Sequence, residues 1–167
     1  MALVIATATP AQAIAGPSNY EMSETYLAGS ESFERGDLKT GVPLIRKAAE
    51  AEDSGAQMML GGLYQWGRGV PKDYHKAHKW LSLASDKGWG EAMNNLAMMY
   101  RRGTGVPVDY VTALKWLLLA QERVLDPPDM VQMLANNIMT LKPIMTAKQV
   151  VAAERKAAAW RRTHVGR

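Results

Sequence analysis

Apolar residues recur along most of this chain at spacings of three, four and seven, the mark of helices that bury one face. Ala56, Leu60 and Tyr64 fall at i, i+4 and i+8, and Ala92, Leu96 and Tyr100 copy them 36 residues later. A second kind of stripe follows each: Tyr74, Ala77, Leu81 and Ala84, copied by Tyr110, Ala113, Leu117 and Ala120. Between a first (A) helix and its following (B) helix lies Gly-x-Gly-Val-Pro. Gly67 and Gly103 suit the left-handed residue that closes a helix, Pro71 and Pro107 prevent its continuation, and Asp73 and Asp109 are placed to cap the next one. Segments 56–84 and 92–120 share 15 identities, among them Trp80 with Trp116 and Lys79 with Lys115. The pattern predicts helices near 20–34, 38–51, 56–66, 73–87, 91–102, 109–124, 128–141 and 147–162, and no strand. A repeat of this period belongs to stacked helix pairs, each too small to bury its apolar face alone, so the fold class is all-α, an α-solenoid of antiparallel pairs.

The ends differ from the middle. Tyr26–Phe33 and Asp37–Ala51 read as a degenerate first pair whose loop is five residues shorter, so that Gly36 runs straight into Asp37. After Arg123 the repeat stops. Asp126 is expected to cap a helix opened by Pro127, with Met130, Met133, Leu134, Ile138 and Leu141 apolar, and Thr146 with Gln149 forms a capping box. In the last helix Val150, Ala153, Ala157 and Trp160 share one face while Lys148, Arg155 and Arg162 lie opposite. The expected organisation is therefore 1–19 leader and linker, 20–53 degenerate repeat, 54–89 and 90–125 full repeats, and 126–167 a capping helix pair.

The combination A-x3-L-[GA]-x2-Y-x2-G-x-G-V-P-x-D-Y-x2-A-x-K-W-L-x-L-A resembles the Sel-one-like repeat, a relative of the tetratricopeptide repeat. Two copies match closely, at 56–89 and 92–124. The segment Met145–Gln149 with Ala152, Glu154 and Trp160 is similar to the tail that closes many proteobacterial members, many of them exported. Ala97 departs from the glycine usual at its position. The resemblance implies a right-handed α-solenoid acting as a non-catalytic adaptor or regulator, and it names no partner.

Charge changes the picture at both ends. From Met145 onward six basic residues face Glu154 alone, a local +5, whereas the rest carries 14 basic and 15 acidic residues. Residues 20–60 hold eight acids against four bases, so the molecule is acidic at one end and basic at the other. The uncharged opening contains Ala11-Gln12-Ala13, a small-x-small pattern without the usual basic n-region. The expectation is a truncated secretory signal cut before Ile14 and a periplasmic or secreted protein, with the cytoplasm as the alternative. The absence of cysteine excludes disulfides and thiolate chemistry.

Candidate chemistry is sparse. The two Gly-x-Gly turns lack the strand and the Gly-Lys-Ser/Thr of a phosphate loop. His75 and His78, three apart on a B helix, lack a third metal ligand and read as solvent-facing, since Val111 and Leu114 replace them in the next copy. No nucleophile, base and orienting group fall together, so neither an enzyme nor a cofactor is expected. Trp80 and Trp116 are expected to pack between helix pairs. Most of Met58, Met59, Met93, Met98 and Met99 read as core filling. A tetratricopeptide-like register places Met58, Gly62, Gln65 and Trp66, then Asn94, Met98, Arg101 and Arg102, on the concave wall, a mixed surface suited to an extended segment of another protein. The alternative is an anionic polymer or nucleic acid bound through the basic last helix.

Overall fold

The computed structural model describes residues 22–125 and 127–164. Among them are eight α-helices and no strand: α1 Glu24–Glu34, α2 Leu38–Glu50, α3 Ser54–Trp66, α4 Tyr74–Asp86, α5 Gly90–Arg102, α6 Tyr110–Arg123, α7 Pro128–Leu141 and α8 Ala147–His164, with a 3-10 turn at Lys142–Ile144 before the last. The leader expectation for residues 1–13 lies outside the described part of the chain.

The boundaries follow from local chemistry. Five of the first six helix N-termini are closed by a side chain that accepts from a backbone N–H one turn on: Ser23 from Tyr26, Asp37 from Thr40, Asp53 from Ala56, Asp73 from Lys76 and Asp109 from Thr112; α5, which follows Trp89, has no side-chain cap. Thr146 and Gln149 close the capping box in both directions, at 2.8 and 3.3 Å. Gly67 and Gly103 end α3 and α5 at φ 70° and 72°, a conformation that strains any residue with a Cβ. One boundary shifts. Pro127 stands outside α7 as its cap and Pro128 takes the first helical position; Asp126 lies outside the described residues.

Helices pack as consecutive pairs, α1 on α2, α3 on α4 and α5 on α6, and each B helix then meets the next A helix, α2 on α3, α4 on α5 and α6 on α7. Ala56, Ala77, Ala84, Ala92, Ala113 and Ala120 are fully buried, and their small size lets the helix axes approach while Leu60, Leu81, Leu96 and Leu117 fill the space between pairs. Each such leucine contributes about 1.5–3 kcal/mol by leaving water. Trp89, at the start of α5, is also fully buried, and its Nε1 donates to Ser54 Oγ at 2.7 Å, tying the α4–α5 turn to the start of α3. At the C-terminal end, α7 and α8 both rest on α6.

The two equivalent tryptophans do not share one environment. Trp116 is buried as expected, whereas Trp80 is only half-buried and lines an open groove. His78 also departs from expectation. It is half-buried, with Nε2 3.0 Å from Tyr100 Oη and the rings edge to face, while His75 is exposed.

Candidate functional site

The seven residues assigned to the concave wall divide into a covered set and an open set. Asn94 accepts from Asn137 of α7 at 3.0 Å, and Arg101 Nη1 donates to Thr140 of α7 at 3.1 Å. Met98 falls between them on the same stripe of α5 and is half-buried against the core. This stripe is the seam along which α5 meets the next A helix. One repeat earlier Met58 and Gln65 occupy the same positions, both are buried, and α3 touches α5 directly. Met58, Gln65 and Asn94 are therefore packed between successive A helices rather than displayed, and Gln65 Oε1 has no hydrogen-bond partner there. The physical reason is that an A helix in a stack has neighbours on three sides, and the arc beside the Leu60–Tyr64 stripe faces the following A helix before it faces solvent.

The open set is Trp66 and Arg102. Trp66 is 62% exposed at the last position of α3, and Arg102 is exposed at the equivalent last position of α5. Each precedes the left-handed glycine that turns the chain toward its B helix. Gly62, one turn before Trp66, has nothing within 4 Å of where a Cβ would stand, so the surface is open on this side of α3.

On α8, Lys148, Arg155, Lys156 and Arg162 are exposed, whereas Arg161 is held by Glu122 and Trp160 is buried beneath His164, which stacks on it at 4.1 Å. No aromatic ring is exposed among these charges, and base stacking, the usual anchor of single-stranded nucleic acid, has no platform here. Among the described residues no three His, Cys, Asp or Glu side chains are grouped to hold a metal ion, and no helix is long and apolar enough to cross a membrane.

The helix-pair stack, the doubled glycine turns and the aspartate caps are the features by which a family is recognised, and the model of the Sel1 repeat matches residues 54–89 and 90–122. These two segments are Sel1 repeats. Solved structures agree with that assignment. The crystal structure of c5321, a protective antigen present in uropathogenic Escherichia coli strains and displaying an SLR fold, is similar with a TM-score of 0.75 and 29% identity, over 84% of this chain and 30% of that one. A Sel1 repeat protein from Oxalobacter formigenes is similar with a TM-score of 0.59 and 25% identity, over 83% of this chain and 55% of its own. The chain thus spans about a third and about half of those two proteins. A search of curated proteins finds no match to this sequence. Sel1 repeats are typically protein-interaction scaffolds, and consecutive pairs here form the helical stack on which such a surface is built.

Three features escaped the sequence reading. Trp89 breaks the repeat, since Asp53 stands 36 residues before it, and so carries no periodic signal. Leu83 is identical to Leu119 yet lies in a different environment, and Trp160 was placed on an apolar face without its partner, Trp116.

Proposed function

We propose that this Sel1-repeat protein is a non-catalytic interaction scaffold that holds an extended segment of another protein along the open edge of its A helices, anchored by Trp66 and Arg102. The observation that carries the reading is the 62% exposure of Trp66 at the end of a helix whose other large apolar residues are covered. Stacked helices lie about 8–10 Å apart, and an extended chain covers ~10 Å in three residues, so partner side chains three apart reach the same position in adjacent repeats. An indole supplies a large apolar anchor, and a guanidinium one repeat on binds a carboxylate through two parallel hydrogen bonds. Arg101 and Met98, half-buried beside Arg102, widen the surface, while Met58, Gln65 and Asn94 support it from within the seam. The small-x-small pattern at Ala11–Ala13 supports a place of action outside the cytoplasm.

The test is photo-crosslinking in the native host, with a benzophenone side chain at position 66 and, as control, at exposed Lys39 of α2. The expected result is one discrete adduct from position 66 alone, lost when Arg102→Glu is added. Adducts from Lys39 but not from position 66 would overturn the reading.

A further inference from the structure

The outer faces of the B helices are not treated alike. On α6, Trp116 and Leu119 are 6% and 2% exposed. α8 lies over them. Trp160 meets Trp116 edge to face at 6.2 Å between ring centres, Arg123 sits 5.7 Å from the centre of the Trp160 ring, and Arg161 grips the Glu122 carboxylate through Nε at 2.9 Å and through Nη2. Where this seat reaches the α4–α5 turn there is a small cleft of about 10 Å³ bounded by Asp86, Lys87, Gly88, Arg123, Trp160 and His164.

Thirty-six residues earlier no described helix lies over the same surface. Trp80 and Leu83 stand in the places of Trp116 and Leu119, and Asp86 and Lys87 in those of Glu122 and Arg123. Leu83 is 39% exposed, and a groove of about 300 Å³ runs from it and Trp80 to Ala49 and Glu50 at the end of α2. Its end is built like that of the occupied seat: Lys87 Nζ donates to the Glu52 carbonyl at 2.6 Å, as the Arg123 guanidinium covers Gly88, the residue equivalent to Glu52. The lining differs at one informative position. Gln57, where the next repeat has Met93, is 3% exposed; its Nε2 donates to the Ala49 carbonyl and its Oε1 has no partner.

We propose that the Trp80–Leu83 face of α4 is a docking site for an amphipathic helix of a partner protein with the chemistry of α8: small residues along one face, one tryptophan, and an arginine directly after it. Three observations argue for that occupant. The chain's own helix of this composition sits on the equivalent surface of α6. The groove is lined by the exposed acids Glu50 and Glu52, and on α4 the exposed Asp86 occupies the repeat position from which Glu122 holds Arg161. The unpartnered Gln57 oxygen gives the groove an acceptor, whereas the indole Nε1 of Trp160 has none in its own seat. Lys79, 5.3 Å over the Trp80 ring, is no obstacle, because Lys115 keeps its place 3.6 Å over Trp116 with α8 docked. Because α8 is engaged on its own α6, the proposed helix comes from a different chain. This surface lies on the B helices and does not rest on the reading of Trp66 and Arg102.

The probe is a fluorescein-labelled peptide with the sequence of residues 147–164, titrated with the full chain and followed by anisotropy. Saturable one-to-one binding is expected, weakened at least about tenfold by Leu83→Glu, by Asp86→Lys, and by Trp160→Ala in the peptide. Leu83 and Asp86 are surface positions, and unchanged thermal melts separate lost binding from lost fold. The absence of saturable binding to the intact protein overturns the proposal. So does binding that Leu83→Glu leaves unchanged, which would place the peptide elsewhere, including on α6 in exchange for the resident helix.

Discussion

Two adjacent glycines of α3 provide a test in which the same substitution has opposite signs. A Cβ added at Gly61 would stand 2.7 Å from Leu81 Cγ, 2.9 Å from Leu81 Cδ2 and 3.1 Å from the Leu81 backbone nitrogen. Leu81 is fully buried, so it cannot withdraw without moving α4. Overpacking of this kind costs about 1–3 kcal/mol, against which alanine recovers about 0.5–1 kcal/mol of helix propensity. Gly61→Ala is therefore expected to destabilise by about 1–2 kcal/mol. At Gly62 an added Cβ meets nothing within 4 Å, only the propensity gain remains, and Gly62→Ala is expected to stabilise by about 0.5–1 kcal/mol. In the next repeat Ala97 occupies the Gly61 position and is fully buried, so α5 and α6 are set around a methyl group that α3 and α4 exclude. Urea unfolding followed by far-ultraviolet circular dichroism measures both variants, with an unchanged m-value as the check that the transition is comparable. If Gly61→Ala proved as stable as Gly62→Ala, close approach of α3 to α4 at Leu81 would not be what holds this pair together.

The tryptophan pair should separate in the same assay. Trp116→Ala opens a cavity beneath α8 and is expected to cost about 3–5 kcal/mol, while Trp80→Ala removes a ring that already meets water and is expected to cost about 1–2 kcal/mol; equal losses would mean that α8 does not cover Trp116 in solution. His78 gives a pH dependence. Burial, and then the neighbouring His75, hold its imidazole below the usual value of 6.5, so the unfolded chain takes up the proton first. Stability is expected to fall as pH drops through about 6.5 toward the lower folded value, and His78→Leu, which copies the buried Leu114 of the next repeat, should flatten that part of the melting profile. An identical profile for wild type and variant would show that His78 is not the group responsible.

What could be read from the chain alone was whatever chemistry acts within a turn or two of itself. Asp73 and Asp109 cap their helices, Gly67 and Gly103 close theirs, and Thr146 pairs with Gln149, because each bond joins groups three to five residues apart and needs no knowledge of the rest of the molecule. The repeat added the stack, since helix pairs this small must share a core. The surface was a different matter. Periodicity placed Met58, Gln65 and Asn94 off the Leu60–Tyr64 arc, but whether that arc meets water or the following A helix depends on how closely successive pairs stack. Asn94 and Arg101 reveal it only through their bonds to Asn137 and Thr140, 43 and 39 residues away. Trp80 and Trp116 are the sharper case. Their flanking residues are nearly the same, their register is the same, and one is covered while the other lines a groove, because α8 returns across α6 and no described helix returns across α4. Nearly identical local sequence does not announce that difference; it arises from where a distant helix comes to rest.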